Sequence, residues 1–158
     1  MYSTRLEFNA EKNWMALRIA TPEIVAAYEN GSQYSVVVRK GATEIRTHAF
    51  YGCVELTSVV FPEGFESIYA RAFNGCINLT SIIFSGGLKV IGNFAFAGCT
   101  KLVSVVLPAG LTSIGNFAFF GCTGLVSVTL PEGLISIGNF AFAECAELAS
   151  VQTHDHAI

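Results

Sequence analysis

Large apolar residues recur along this chain every 23 residues, in a unit that is clearest at residues 125–145. The unit reads L-x-x-V-x-L-P-x-x-L-x-x-I-x-x-x-A-F-x-x-C, where x is a position of varied type. A fixed period of this length indicates a solenoid, in which each repeat forms one turn of a coil and stacks on its neighbours. We call one such turn a rung.

Six positions of the unit are apolar in nearly every copy, and we expect these columns to form a shared core. In steps of 23 residues, they run from Leu56 to Leu148, Val59 to Val151, Phe61 to Leu130, Phe65 to Leu134, Ile45 to Ile137 and Phe50 to Phe142. One rung alone buries too few side chains to offset the entropy lost on ordering its backbone. Neighbouring rungs must therefore stabilise each other.

The hydrophobic pattern also predicts the elements within a rung. The segment L-x-x-V-x-L ends in alternating positions, which predicts a short strand with Val and Leu inward and the residue between them outward. Pro62, Pro108 and Pro131 follow and end the strand. In the later I-G-N-x-A-F-x-G-C stretch, inward residues are spaced by four and one, which favours a single helical turn. Strands of successive rungs must be parallel.

These residues carry a resemblance to a known family. Over about residues 33–153, the repeat resembles the BspA-type leucine-rich repeat. The resemblance implies an α/β solenoid: a right-handed leucine-rich-repeat coil with one parallel β-sheet face and short helical turns on the other. It also implies a binding or adhesion module, commonly at a cell surface. It implies no particular ligand, because the matching positions are structural.

The first rung departs from the repeat. A degenerate rung occupies about residues 22–44, with Asn30 in the position of Cys53. Its helical turn is predicted from Thr21 as N-cap, Pro22 at the first helical position and Gly31 after the end. Before it, residues 5–9 and 14–19 are predicted to form a hairpin around a polar turn. The predicted organisation is a cap hairpin at 1–21, a solenoid at 22–153 and a tail at 154–158.

The C-terminal end shows no predicted capping element after the strand that begins at Val151. Terminal rungs of a solenoid normally need a polar outer face. Three explanations stay open: the tail folds over the end, another chain covers it, or the sequence belongs to something longer.

Composition and charge narrow the function classes. The net charge is −3, and the nine Lys and Arg residues are scattered, which argues against a nucleic-acid partner. No apolar run approaches the roughly 20 residues of a membrane span, and residues 1–12 do not resemble a secretory signal. The compartment is left open: cytoplasmic if the N-terminus is native, cell surface or secreted if the chain is a mature or cut form.

The five cysteines all occupy one position of the repeat, at Cys53, Cys76, Cys99, Cys122 and Cys145. An odd number at one position predicts free thiols. A metal or redox column is the alternative, but a single file lacks the tetrahedral convergence that zinc requires. We therefore interpret the cysteines as structural.

No other group of residues suggests catalysis or a cofactor. His154, Asp155 and His156 could hold a metal ion weakly, but a polar tail is the favoured interpretation. No Ser-His-Asp or Cys-His set can be assembled, because the serines recur as part of the scaffold. We expect neither enzyme activity nor a cofactor.

The outward positions of the predicted sheet form the first candidate binding surface, which we call the sheet face. It comprises Ser58, Val60, Ser81, Ile83, Ser104, Val106, Ser127 and Thr129. These positions carry no charge, and a row of aliphatic residues exceeds the scattered apolar exposure of an ordinary surface. The alternative is that β-branched residues simply favour strands.

A second candidate surface is aromatic and lies on the convex side. We call it the Phe stripe, and its residues are Phe94, Phe117, Phe120 and Phe140. The alternative is that these rings pack against the neighbouring turn.

The predicted function is a non-catalytic scaffold for protein–protein interaction. The partner would be a second copy or a subunit of a larger assembly, bound at the sheet face, the Phe stripe or the open C-terminal end. The first alternative is an adhesin-like module for matrix proteins or carbohydrate. A third hypothesis is ice binding through regular rows of hydroxyl and methyl groups.

Overall fold

The structure is a computed structural model that describes residues 24–30 and 33–153. The predicted cap hairpin and the tail lie outside the described residues. In chain order the strands are β1 (Ile24–Asn30), β2 (Gln33–Val38), β3 (Glu44–Ile45), β4 (Leu56–Val60), β5 (Ser67–Ile68), β6 (Ser81–Ile83), β7 (Val90–Ile91), β8 (Ser104–Val106), β9 (Ser113–Ile114), β10 (Ser127–Leu130), β11 (Ser136–Ile137) and β12 (Ser150–Thr153).

The main sheet is parallel from β2 onward, in the register that the repeat predicts. Ser58 of β4 pairs with Ser81 of β6, and Ser104 of β8 pairs with Ser127 of β10. Each rung therefore places the same repeat position on the same face. The main sheet has two parts, one ordered β1-β2-β4-β6 and the other β8-β10-β12.

A second parallel sheet, ordered β3-β5-β7-β9-β11, lies along another side of the coil. Its two-residue strands carry the isoleucine column, and Ile45 pairs with Ile68 as Ile91 pairs with Ile114. The expectation of a single sheet face was therefore too simple. The inward isoleucine belongs to a short strand before the corner.

The predicted helical turns are wrong, because the described residues form strands and turns and contain no helix. At the first corner, the Phe50 N–H donates to the Ala72 carbonyl of the next rung at 2.7 Å. The Ala49 N–H instead closes a turn on the Arg46 carbonyl at 3.1 Å. Alternate backbone N–H groups of the corner thus donate to the next rung. In a helix, each of them would donate to the carbonyl four residues earlier in the chain. His48, at φ 63°, also interrupts any right-handed helical turn.

The degenerate first rung is also corrected. In place of a helical turn, Ile24–Asn30 forms strand β1, which pairs with β2 in antiparallel register. Two β-branched residues at its start favour a strand. The overlooked signal is the Gly-Ser pair at positions 31 and 32, a dipeptide typical of two-residue hairpin links. Strand β1 covers the N-terminal edge of the main sheet.

The core contains the six predicted columns, stacked rung on rung. Leu56, Leu79, Leu102 and Leu125 are fully buried. The Phe50, Phe73, Phe96, Phe119 and Phe142 rings form a continuous stack with centroids 5.1–5.3 Å apart. The columns open at the last described rung, where Ile137 is 47% exposed.

The corner after each short strand requires close approach between rungs. A Cβ added at Gly115 would lie 2.6 Å from the Asn93 backbone nitrogen and from its Oδ1 atom. The same Oδ1 atom accepts the Asn116 N–H at 2.8 Å, and Asn116 repeats this bond with Asn139. Glycine and asparagine at these positions therefore allow neighbouring rungs to stack closely.

Candidate binding surfaces

The sheet face is uncharged along the described strands. From β2 to β12, each strand of the main sheet presents two outward residues. The first is always a serine, and the second is Val, Ile, Thr or Gln. Among the aliphatic residues of the sheet face, exposure is largest in the middle, where Ile83 is 56% and Val106 is 63% exposed. Ser58, Val60, Ser127 and Thr129 are partly buried by neighbours in their own parts of the sheet.

The two most exposed aliphatic residues of the sheet face, Ile83 and Val106, flank a break in the sheet. Strands β6 and β8 are sequential rungs, yet they belong to different parts of the main sheet and do not pair. The second sheet is continuous here, because β7 pairs with β9. The corners also stay joined, with the Phe94 N–H donating to the Asn116 carbonyl at 2.9 Å. The break is therefore a local opening in one face of the coil.

Two repeat positions beside the break carry a different residue from the rung before. Thr57 Oγ1 donates to the Tyr34 carbonyl and Thr80 Oγ1 donates to the Thr57 carbonyl, each at 3.2 Å. The next residue of this column is Val103, which has no hydroxyl for the Thr80 carbonyl. At the other end of the strand, Ser85 replaces the usual proline, and its buried Oγ has no hydrogen-bond partner.

The opening also exposes inward residues. Ile82 and Phe84 are partly exposed, whereas Val59 and Phe61, their equivalents one rung earlier, are buried. A cleft of about 380 Å³ lies in the opening. It is lined by Thr80, Ser81, Ile82, Ile83, Phe84, Ser104, Val106 and Pro108. Sequence reasoning selected four of these residues for the sheet face and missed the cleft.

The Phe stripe is a stack of rings on the corners. Phe94 and Phe117 lie 4.7 Å apart with nearly parallel planes, and Phe117 and Phe140 lie 5.3 Å apart. Phe120 contacts Phe117 edge to face, and the Arg71 guanidinium lies 4.6 Å from the Phe94 ring centre. The rings thus pack on one another, and only Phe140, at 65% exposure, presents most of its surface.

These corner residues adopt a left-handed backbone that bulky side chains rarely take. The φ angles are 57° at Phe94, 58° at Phe117 and 57° at Phe140. The conformation costs about 1–2 kcal/mol per residue. Stacking along the rungs offsets this strain, since each aromatic pair contributes about 0.5–1.5 kcal/mol.

The cysteine column satisfies backbone groups, which is a structural role of the kind that we expected from the sequence. The Cys76 thiol donates to the Phe50 carbonyl at 3.1 Å, and Cys99 donates to Phe73 at 3.3 Å. Cys122 and Cys145 repeat the bond one and two rungs later. All five cysteines are free thiols. Each of these four therefore joins its corner to the preceding rung.

Burial also makes most of these thiols poor nucleophiles. Removal from water raises the pKa of Cys99 to about 12 and the pKa of Cys53 to about 11. The pKa of Cys76 is raised as well, chiefly by burial. Cys145, at the open end of the column, is the exception, because its interaction with the Cys122 thiol lowers its pKa. Because the thiolate is the reactive form, the buried part of the column is unsuited to redox or covalent chemistry.

Two further features concern metals and membranes. The part of the chain that the structure describes has no group of three or more His, Cys, Asp or Glu side chains placed to hold a metal ion. His154, Asp155 and His156 lie outside it. Across residues 24–30 and 33–153, no helix has the length and hydropathy of a membrane span.

Comparisons with known proteins agree with this architecture. The model of the BspA type leucine rich repeat region matches residues 25–149 in six copies. A leucine rich cell surface protein from Faecalibacterium prausnitzii A2-165 is 29% identical, with a TM-score of 0.73 over 85% of this chain and 39% of that one. No curated protein matches the sequence significantly.

Two other solved structures are similar. A leucine rich repeat protein of T. pallidum is 34% identical, with a TM-score of 0.68 over 79% of this chain and 66% of that one. A leucine-rich repeat protein from Bacteroides ovatus ATCC 8483 is 31% identical, with a TM-score of 0.67 over 82% of this chain and 39% of that one. The chain thus spans about two fifths of the first and third structures.

The family match covers most of the chain, and the solved structures share its stacked rungs. Proteins of this kind are in general non-catalytic scaffolds that bind other proteins or act as surface adhesins. The chain belongs to the BspA-type leucine-rich repeat family.

Proposed function

We propose that the protein is a non-catalytic scaffold that binds another polypeptide through its sheet face. The observation that carries this proposal is the exposure of Ile83 and Val106 on an uncharged surface. Apolar side chains beside small hydroxyl groups can be desolvated at little cost, because no charge must leave water. Such a surface suits a protein partner better than a nucleic acid or a charged metabolite.

The sheet face is the better candidate of the predicted surfaces. In the Phe stripe, the rings of Phe94 and Phe117 stack face to face on each other. Only the end of the stack is therefore accessible to a partner. The last described rung exposes Ile137, but that residue belongs to the end of the core column and not to a surface repeated along the coil. The sheet face is presented by the middle rungs themselves.

A second candidate is an adhesin-like module at the cell surface. The similar structure from Faecalibacterium prausnitzii is named as a cell surface protein, and we extend that location to this chain as part of the proposal. A matrix protein is a better ligand than carbohydrate, since sugar sites usually combine aromatic rings with polar groups and the sheet face has no aromatic residue. The break between β6 and β8 also interrupts the regular lattice that ice binding requires.

The proposal is tested by affinity capture from cells of the source organism. The wild-type protein is compared with a triple variant, Val60→Lys, Ile83→Lys and Val106→Lys. A matched control places three lysines away from the sheet face, at the exposed residues Tyr51, Tyr69 and Ile77. Circular dichroism first checks that both variants are folded.

We expect the sheet-face variant to lose proteins that the wild type and the control variant both retain, as identified by mass spectrometry. Equal capture by all three proteins would contradict the proposal. Loss with the control variant alone would place the binding surface elsewhere on the coil.

A further inference from the structure

The break between β6 and β8 leaves main-chain groups without the partners they have in other rungs. The Phe61 N–H donates to the Ile83 carbonyl at 3.0 Å, and the Leu107 N–H donates to the Thr129 carbonyl at 3.0 Å. The equivalent bond would join the Phe84 N–H to the Val106 carbonyl, but β6 and β8 form no ladder. Two strand edges therefore face each other across the cleft, each with unpaired donors and acceptors.

The cleft combines these edges with an uncharged lining. Its walls are hydroxyl-bearing and apolar residues, among them Ser81, Ile83, Ser104 and Val106. The partly exposed Ile82 and Phe84 form its inner side. Its volume of about 380 Å³ falls at the lower end of the range for ligand sites, about 300–1,000 Å³.

We propose that this cleft binds an extended, uncharged segment of a partner polypeptide, whose main chain pairs with the free edges of β6 and β8. This inference rests on the proposed function, because it names the part of the sheet face that the partner contacts. Strand addition obtains affinity from main-chain hydrogen bonds and specificity from alternate side chains. Ile83 and Val106 would contact the apolar side chains of the segment.

Polypeptide is the ligand class that fits this arrangement best. Peptide groups supply N–H donors and C=O acceptors alternately, at the spacing of a strand edge. Carbohydrate or an anion would need aromatic rings or cations, and the lining contains a single partly exposed ring, Phe84, and no charge. An uncharged segment is expected because a charged side chain would be desolvated there without a counter-charge.

The opening itself is tested by amide hydrogen exchange measured by NMR. Phe84 is compared with Phe61 and Leu107, whose N–H groups hold the equivalent position in paired rungs. We expect the Phe84 amide to exchange at least about 100-fold faster than both, because it lacks a ladder acceptor. Equal protection of the three amides would overturn the inference, since the edges would then be paired in solution.

Binding is tested with a blocked heptapeptide, Leu-Val-Ser-Val-Thr-Leu-Pro, which is the sequence of residues 125–131 and includes the strand that pairs with β8 from its other side. The control peptide is the same sequence methylated at alternate main-chain nitrogens, which removes donors and keeps the side chains. We expect the first peptide to slow exchange at Phe84 and the methylated one to bind at least about tenfold more weakly. Equal affinity of the two peptides would contradict main-chain pairing.

Two protein variants locate the peptide. Val106→Lys should weaken binding by at least about tenfold, because it places a charge against the peptide. Thr129→Lys, on the same face one rung further on, should change it by less than about twofold. An equal effect of both variants would show that the peptide binds the sheet face at large and would overturn the cleft assignment.

Failure of this inference is distinguishable from failure of the proposed function. A peptide that does not bind, combined with loss of captured proteins in the sheet-face variant, rejects the cleft and keeps the scaffold function. Peptide binding at the cleft, combined with unchanged capture by the sheet-face variant, shows that the cleft binds peptide but that cellular partners do not use it. This result rejects the sheet face as the surface for those partners and the cleft as their site.

Discussion

At the residue scale, the corner phenylalanines combine backbone strain with ring stacking, and the balance differs along the stripe. Phe117 has a ring on both sides and a third ring, Phe120, at its edge, whereas Phe140 stacks on one side. Both have the same left-handed backbone, at φ 58° and 57°. Glycine would remove the same strain at either position but would remove more contacts at Phe117.

We predict that Phe140→Gly leaves the free energy of unfolding within about 1 kcal/mol of the wild type, because relief of about 1–2 kcal/mol of strain offsets the lost contact. Phe117→Gly should cost about 1–3 kcal/mol more than Phe140→Gly, since two further ring contacts are lost. Urea unfolding of both variants provides the measurement. Equal effects would show that stacking does not stabilise the corner.

The buried thiols predict a loss of stability at alkaline pH. Burial raises the pKa of Cys99 to about 12, while an unfolded cysteine titrates near about 8.5. The folded state therefore keeps a proton that the unfolded state releases. The stabilising contribution is complete below the unfolded pKa and is lost as the pH rises toward the folded pKa.

Between pH 8 and 10, the free energy of unfolding should fall by about 2 kcal/mol for each such thiol. Urea titrations at several pH values measure the slope, and the double variant Cys76→Ala and Cys99→Ala should have a shallower one. A free energy of unfolding that is constant over this range would show that the column is not buried in solution.

At the element scale, each short strand is stabilised by the rungs on both sides, so equivalent positions should differ in the middle and at the end. Ile114 of β9 is buried between β7 and β11, whereas Ile137 of β11 is 47% exposed. We predict that Ile114→Ala costs about 2–5 kcal/mol of unfolding free energy and that Ile137→Ala costs less than half as much. Chemical denaturation measures both, and equal costs would contradict nearest-neighbour stabilisation.

The break between β6 and β8 coincides with the loss of a threonine from the column of Thr57 and Thr80. We predict that Val103→Thr adds a hydrogen bond to the Thr80 carbonyl, raises the unfolding free energy by about 1 kcal/mol and slows exchange of the Phe84 amide. Val126→Thr is the control, because the Val126 N–H already donates to the Val103 carbonyl at 2.8 Å. An unchanged Phe84 amide in Val103→Thr would show that the missing hydroxyl does not hold the cleft open.

The elements also show how far the sequence predicts the fold. The repeat period predicted the parallel register and the columns through Leu102 and Ile114, because identical residues at one interval must stack. It did not predict the corners correctly, since the spacing of Ile91, Ala95 and Phe96 is compatible with a helical turn and also with a short strand and a tight turn. The choice depends on hydrogen bonds to the next rung, which periodicity does not reveal.

The sequence did not predict the cleft, for a related reason. Residues 79–84 have the same pattern of apolar positions as the strands that pair, so the sequence predicted another regular rung. The absence of hydrogen bonds to β8 distinguishes them. Val103 and Ser85 are the visible signals, because the threonines at positions 57 and 80 are followed by Val103 and because Ser85 replaces the proline of its column, but neither alone predicts an open sheet.

At the scale of the whole molecule, the chain is a one-dimensional stack whose neighbours share a core. Stability should then be approximately a sum of rung and interface contributions. The Glu66–Lys89 ion pair joins two rungs at 3.2 Å, but both side chains are at least half exposed, so it contributes little. The shared apolar columns and the ladders between rungs hold the stack together.

The most direct measurement of this stacked organisation is the unfolding of a variant that lacks one whole rung, residues 104–126. This deletion joins Val103 to Ser127 and preserves the register of every column. We predict a folded protein with the same type of circular dichroism spectrum, a cooperative transition and a lower free energy of unfolding. Deletion of residues 104–114 alone, which shifts the register, should abolish folding. Equal loss of structure in both variants would contradict a stack of interchangeable rungs in which each rung is stabilised by its neighbours.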